Sequence, residues 1–183
     1  MMGELSGKRV AFLATDGFED SELTSPWEAV TDAGAEAVLV APSPGTLTGE
    51  HGHKAPVDLT LADARSADFA ALVLPGGVVN ADHLRMDDSA VEFVRGFFEQ
   101  RKPVGVICHG GWILTDAEVA SGRRMTSYRS LRTDLRNAGA EWVDEEVVVD
   151  NGLVSSRTPD DLPAFNGKLV EEFAEGRHAR QVS

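Results

Sequence analysis

Runs of apolar residues alternate with helical repeats along most of the chain. Continuous apolar runs are typical of strands that a sheet buries on both faces; they occur at Arg9–Thr15, Glu36–Ala41, Phe69–Leu74 and the start of Lys102–Leu114. Apolar residues at helical spacing predict helices at Glu22–Ala33, Asp87–Arg101, Trp112–Ala120, Leu131–Ala138 and Leu162–Glu175. This alternation predicts an α/β sandwich with a largely parallel sheet.

Weaker patterns predict the connections. Pro42–Pro56 reads as a loop with a small hairpin, and Asp150-Asn151-Gly152 as a hairpin turn. Ser21 is the expected N-cap of the first helix. Short strands are predicted at Val57–Leu61, Met125–Tyr128, Glu145–Val149 and Leu153–Arg157, and a loose tail at His178–Ser183.

Composition limits the kind of protein and its partners. The 183 residues are expected to form a single domain over 1–183, with an ordered core at about 8–175. A formal net charge of −13 argues against nucleic acid and anionic membranes as partners, because both require basic surfaces. A single cysteine excludes an internal disulfide and a cysteine-rich zinc site. The first residues lack an apolar signal core, so a cytoplasmic protein is expected.

The cysteine itself is the strongest candidate for chemistry. Cys108 lies between an apolar run and a helical pattern, which predicts a strand, a sharp turn and a helix. Such an elbow exposes the side chain and places it at a helix N-terminus, where a thiolate is favoured. A lone cysteine is more often a small buried apolar residue, but Gly110 and Gly111 supply the close backbone approach that an elbow requires.

Two other loops are expected to meet this elbow, because ligands of open α/β sheets bind beyond the carboxyl ends of the strands. The two loops are Asp16–Glu22 and Pro75–Asp82, and the elbow itself is Cys108–Gly111. Backbone N–H groups of the Pro75-Gly76-Gly77 turn and of His109 could hold an oxyanion. One carboxyl among Glu19, Asp20 and Glu22 could meet the thiol, although helix N-terminal charge accounts equally for two of them.

Several charged groups carry a weaker expectation. Asp82 could orient a histidine, or it could simply begin a surface helix. His51 and His53 have no third partner that would suggest a metal site, so a solvated loop is expected. A solvated helix face is also expected for the arginine-rich segment, which contains Arg123, Arg124, Arg129, Arg132 and Arg136.

With these residues in view, the sequence resembles the PfpI family of intracellular cysteine peptidases. That family lies in the superfamily of the parkinsonism-associated deglycase and is related to class I glutamine amidotransferases. The matching segments extend from Arg9 to Phe173, and include Gly17–Leu23, Leu74–Gly77, Lys102–Val104, Ile107–Gly110, Thr126–Tyr128, Asn137–Asp144, Val147–Asp150 and Ser156–Leu162.

The resemblance implies a flavodoxin-like three-layer sandwich with a nucleophile elbow. It implies that Cys108 is the nucleophile, that His109 is its partner and that Glu22 hydrogen-bonds the sulfur. Gly77 and His109 would supply the oxyanion N–H groups. Asp82 would reach the histidine of a neighbouring subunit, which requires a homodimer or a larger homo-oligomer. The segment between Gly77 and Asp82 is about one residue longer here than in the family pattern, so Asp82 is offset by about one residue from the position that the pattern gives to the acid.

The expected function is therefore that of a stress-related cysteine-dependent hydrolase without a cofactor or a metal. Its substrate would be a small carbonyl compound, a glycated adduct or a peptide, and the residues leave the deglycase or glyoxalase and peptidase or amidase activities equally open. A rival interpretation is a redox-responsive stress protein in which Cys108 is oxidised to sulfenic or sulfinic acid without turnover. A chaperone-like holdase is a third interpretation, and would require an exposed apolar patch.

Overall fold

The fold is known from a computed structural model that describes residues 3–178. Its strands are β1 (Arg9–Leu13), β2 (Glu36–Ala41), β3 (Thr46–Thr48), β4 (Lys54–Pro56), β5 (Leu59–Thr60), β6 (Ala71–Leu74), β7 (Val104–Ile107), β8 (Arg124–Met125), β9 (Glu141–Trp142), β10 (Val147–Asp150) and β11 (Leu153–Ser156). Its helices are α1 (Asp20–Asp32), α2 (Val78–Arg85), α3 (Asp88–Glu99), α4 (Ile113–Asp116), α5 (Arg132–Asn137) and α6 (Leu162–Glu175).

The main sheet is mostly parallel, as the sequence predicts. Its strand order is β10-β11-β7-β6-β1-β2-β5, and only β10 runs antiparallel to its neighbour. Without the two-residue edge strand β5, the parallel strands follow the order 2-1-3-4-5 of flavodoxin-like folds. The order reverses between β1 and β6, so a crevice is expected where these two strands end.

Two apolar layers cover the sheet and confirm the three-layer sandwich. On one face, α3 packs Val94, Phe97 and Phe98 against alternate residues of the central strands. On the other face, α1 and α6 bury Leu23, Phe165 and other side chains against the complementary set of strand residues. The alternation explains why the central strands read as continuous apolar runs, because both of their faces are buried.

Helix α2 lies where the sequence predicted a loop. It begins directly after Gly77 without a capping side chain, and its first residues, Val78 and Val79, are exposed and poor helix formers. The fully buried Asn80 holds it in place, because its amide donates to the carbonyls of Pro75 and Gly76 and accepts from the N–H of Thr15. This tertiary anchor has no local sequence signal.

The predicted helix Trp112–Ala120 is wrong in its extent. A 3-10 turn spans Cys108–Trp112, and α4 continues only to Asp116. The left-handed backbone of Glu118, with φ of 60°, prevents the helix from continuing.

Smaller predictions were also shifted. The N-cap of α1 is Glu19, whose carboxylate accepts from the N–H of Glu22, and not Ser21. The strand expected at Met125–Tyr128 is confined to β8. The tail prediction falls almost entirely on residues 179–183, outside the described residues.

No helix within residues 3–178 combines the length and the apolar character that a membrane crossing requires.

Candidate active site

Cys108 occupies a strained turn directly after β7. Its φ of 61° lies in the left-handed region, which is costly for a residue with a Cβ. The backbone after it passes so close to the strand β6 that a Cβ at Gly110 would lie 2.2 Å from the carbonyl oxygen of Leu74. The turn therefore requires glycine at this position, and it leaves the thiol half-buried at the carboxyl end of the sheet.

His109 is positioned by contacts on every side of its ring. Its Nδ1 lies 3.3 Å from Cys108 Sγ, and its Nε2 lies 3.1 Å from Ser130 Oγ. The ring stacks on Tyr128, with centroids 4.8 Å apart and planes inclined by 27°. Burial lowers the pKa of His109, which favours the neutral imidazole. With Nε2–H donating to Ser130, Nδ1 would be free to accept the thiol proton.

Backbone N–H groups from two loops face the sulfur. Hydrogen bonds from the N–H of His109 and of Gly77 act to lower the pKa of the thiol. Gly77 has φ of 102°, and a Cβ there would lie 2.3 Å from the carbonyl oxygen of Gly17. A glycine is therefore needed for this N–H to reach Cys108, and the two donors form a cradle that can hold negative charge beside the sulfur.

Glu22 is a completely buried carboxyl next to the thiol. Its Oε1 accepts from the N–H of Gly76 at 2.9 Å, and a Cβ on Gly76 would lie 2.3 Å from that oxygen and 2.9 Å from Cys108 Cβ. Burial raises the pKa of Glu22 to about 8, and the charge of Glu19 adds to the increase. The carboxyl is therefore largely protonated at neutral pH and can act as a hydrogen-bond donor.

The expectation that the elbow would acidify the thiol is wrong. Burial raises the pKa of Cys108, and the negative charge that Glu22 acquires when it ionises raises it further; together these effects outweigh the two backbone hydrogen bonds. The helix that follows is also a short 3-10 turn, which weakens the expected dipole effect. The resting pair is a thiol beside a protonated carboxyl, and proton transfer to His109 would have to accompany attack.

Asp82 is not brought to the histidine within this chain. It lies half-buried on α2, and no hydrogen bond or ion pair joins it to His109 among residues 3–178. Ser130 takes the place beside Nε2 instead. The predicted role of Asp82 across a subunit interface stays a prediction.

Ser130 was missed because nothing in its spacing distinguishes it. It lies in a 3-10 turn at Arg129–Leu131, and reaches His109 because the N–H of Tyr128 donates to the carbonyl of Cys108 at 3.0 Å. Glu50 was also missed; its charge acts on both Glu22 and His109 from the loop between β3 and β4.

The other acidic candidates near α1 are structural. Asp20 accepts hydrogen bonds from the N–H groups of His51 and His53 and thereby holds the β3–β4 loop over the site. Glu19 caps α1, and lies 3.7 Å from the exposed His51.

A cluster of potential metal ligands lies far along the chain from this site. Within residues 3–178, the carboxylates of Glu172 and Glu175 and the imidazole of His178 lie within 4.8 Å of one another. His178 Nε2 is 2.9 Å from Glu172 Oε2, so an ion pair explains their proximity. His51 and His53 do not belong to such a cluster.

The arginine-rich segment is not a uniform solvated face. Arg123 is buried, and its guanidinium lies 5.1 Å from the centroid of the Phe98 ring. Arg129 and Arg132 line a cavity next to Tyr128.

Comparison with known proteins agrees with this geometry. The model of the DJ-1/PfpI family matches residues 8–172. "Putative cysteine protease YraA" of Bacillus subtilis is 48% identical over 160 residues, which cover 87% of this chain and 94% of that protein. "Deglycase PfpI" of Pyrococcus furiosus is 44% identical over 163 residues, covering 89% and 98%. The crystal structure of DJ-1beta from Drosophila melanogaster superposes with a TM-score of 0.85 at 27% identity, covering 91% and 90% of the two chains.

Proposed function

The chain belongs to the DJ-1/PfpI family, and from that premise we propose that it is a cysteine-dependent hydrolase of carbonyl adducts or amide bonds. The observation that carries the proposal is the arrangement around Cys108. A neutral imidazole lies 3.3 Å from the sulfur, and two backbone N–H groups act on the sulfur, one from His109 in the same turn and one from Gly77 in the loop after β6. These are the base and the oxyanion donors that a nucleophilic mechanism needs.

For an amide, the sequence of proton transfers follows from these contacts. Cys108 Sγ bonds to the carbonyl carbon while its proton moves to His109 Nδ1, and the N–H groups of Gly77 and His109 hold the oxygen that becomes negative. The C–N bond then breaks, and the imidazolium returns the proton to the departing amine. Water hydrolyses the thioester and restores the thiol. For a methylglyoxal adduct of a thiol, the net reaction adds water and releases lactate and the free thiol.

We test the adduct reaction first because a relative 44% identical over 163 residues is named a deglycase, and peptide amides second because a relative 48% identical over 160 residues is named a putative cysteine protease. The test is turnover of methylglyoxal and of methylglyoxal-treated thiols and amines, with wild type beside Cys108→Ala. A clear wild-type rate that disappears in Cys108→Ala is expected. If wild type turns over neither the carbonyl compounds nor peptide amides, the hydrolase proposal fails.

A redox-responsive role is the second candidate, and the Glu22 carboxyl favours it. A protonated carboxyl beside the only cysteine can donate a hydrogen bond to a sulfinate. Because the chain has no second cysteine, the sulfenic acid formed first cannot condense to an internal disulfide and is open to further oxidation to that sulfinate. Mass spectrometry after peroxide treatment is expected to show stable addition of oxygen to Cys108 without substrate turnover. Asp82→Asn separates the two candidate functions further. If Asp82 orients a catalytic His109, the variant loses enzymatic activity, whereas in a sensor the oxidation of Cys108 is unaffected.

A further inference from the structure

A cavity on the far side of Tyr128 from the His109 ring has a positively charged lining. It has a volume of about 500 Å³ and is lined by Tyr128, Arg129, Arg132, Trp142, Asp144 and Arg157, among others. Three arginines and one aspartate give its lining a formal charge of +2, in a chain whose net charge is −13. A concentration of positive charge inside a concave, partly aromatic surface is typical of a site for an anion.

The three arginines differ in what they already bind. Arg157 is occupied, since its guanidinium contacts Asp161 at 3.0 Å and Asp144 at 2.9 Å. The guanidinium groups of Arg129 and Arg132 make no hydrogen bond or ion pair within the part of the chain that the structure describes. Two guanidinium groups are thus available to a ligand, and Asp144, the one carboxylate of the lining, is already paired with Arg157.

The cavity shares its wall with the active site. Tyr128 lines the cavity and also stacks on the His109 ring. The 3-10 turn that carries Arg129 also carries Ser130, which contacts His109 Nε2. A molecule whose reacting carbon lies at Cys108 could therefore extend past Tyr128 into the cavity.

We propose that this cavity is the subsite for an anionic group of the substrate, a carboxylate or a phosphate, which Arg129 and Arg132 bind. The inference rests on the proposed function and narrows its substrate class. The Tyr128 and Trp142 rings would pack against the organic part of the same molecule. A cavity of about 500 Å³ exceeds what a three-carbon carbonyl compound fills, so adducts of larger acidic molecules are the expected substrates.

The test compares two substrates that differ only in this charge. Methylglyoxal adducts of N-acetylcysteine and of N-acetylcysteinamide carry a carboxylate and a neutral amide. Since hydrogen bonds to charged groups are the stronger class, kcat/KM of wild type is expected to favour the acid by about tenfold to a hundredfold. R129Q/R132Q should bring this ratio close to one, while R124Q, which removes an exposed charge paired with Glu145 outside the cavity, should preserve it. Equal rates on both substrates in wild type, or an equal loss on both in R129Q/R132Q, would overturn the subsite.

Direct binding separates this proposal from the hydrolase assignment. Trp142 lines the cavity, so its fluorescence can follow titration with N-acetylglycine and with methyl phosphate. Tighter binding of N-acetylglycine assigns a carboxylate subsite, and tighter binding of methyl phosphate assigns a phosphate subsite. In either case R129Q/R132Q should weaken the binding. If wild type hydrolyses neither the adducts nor peptide amides but shows this arginine-dependent binding, the anion site stands and the hydrolase proposal fails. Binding that is the same in wild type and R129Q/R132Q refutes the anion site.

Discussion

Replacing Glu22 by glutamine should change how the stability of the protein depends on pH. The folded protein holds the Glu22 proton up to a pKa of about 8, whereas the ordinary value is 4.5. Between these values the native state binds more protons than the unfolded state, so the free energy of unfolding falls as pH rises. This group therefore favours folding most below pH 4.5, and that contribution is lost as pH approaches 8. Glutamine cannot ionise, so E22Q avoids the loss.

The magnitude follows from the interval between the two pKa values. Each pH unit in which one proton separates the two states corresponds to about 1.36 kcal/mol. From pH 5 to pH 8, wild type should lose roughly 3 to 4 kcal/mol that E22Q retains. This is a large part of the usual stability of a domain, about 5 to 15 kcal/mol.

Urea unfolding of both proteins at pH 5, 6, 7 and 8 measures this difference. E28Q is the matched control, because Glu28 lies exposed on the same helix α1. The free-energy difference between E22Q and wild type should grow steadily with pH, whereas the difference for E28Q should stay nearly constant. A constant difference for E22Q across the four pH values would refute the assignment of a buried, protonated Glu22.

Three further predictions follow from the backbone and from His109. Ser130→Ala should lower kcat by about threefold to tenfold with little change in KM, since a lost neutral hydrogen bond is worth about 1 kcal/mol. If the variant has the kinetics of wild type, Ser130 does not position His109 for catalysis. Thermal unfolding should find Cys108→Gly more stable than Cys108→Ala by about 1 kcal/mol, because only glycine relieves the left-handed strain; the opposite order would exclude that strain. Gly110→Ala should destabilise the fold by about 3 kcal/mol or more through its contact with the Leu74 carbonyl, while Gly167→Ala, with open space around it on α6, should gain about 0.5 to 1 kcal/mol. Equal stabilities of the two alanine variants would contradict the close approach at the elbow.

The sheet could be read from the sequence because burial on both faces leaves a continuous apolar signature. Glu36–Ala41 and Leu162–Glu175 were predicted with the bounds that the structure has. The loops at the strand ends were likewise expected from the parallel topology, which is why the turn at Gly76 and Gly77 and the elbow at Cys108 were placed together.

The features that could not be predicted from the sequence are those that depend on tertiary contacts. Helix α2 depends on the buried amide of Asn80, which no periodicity reveals. The ionisation of Cys108 depends on desolvation and on Glu22, which is distant in sequence, so the local elbow pattern predicted the wrong direction. Ser130 and the arginine cavity arise because the chain after β8 folds back over the elbow, and that path is set by long-range packing.

The assembly of the thiol pocket from distant segments makes Cys108 a natural probe of unfolding. The groups around its sulfur come from Glu22, Gly77 and His109, and Ser130 contacts the His109 ring; these four residues lie on four separate stretches of the chain. The thiol is half-buried and reacts in the folded state, so its reactivity reports whether these stretches are in place, and detachment of any one of them should change the rate of modification by a thiol reagent. Since the chain has one cysteine, every labelling event arises at the same atom, and the opening kinetics can be followed without introducing a dye site or removing a competing thiol.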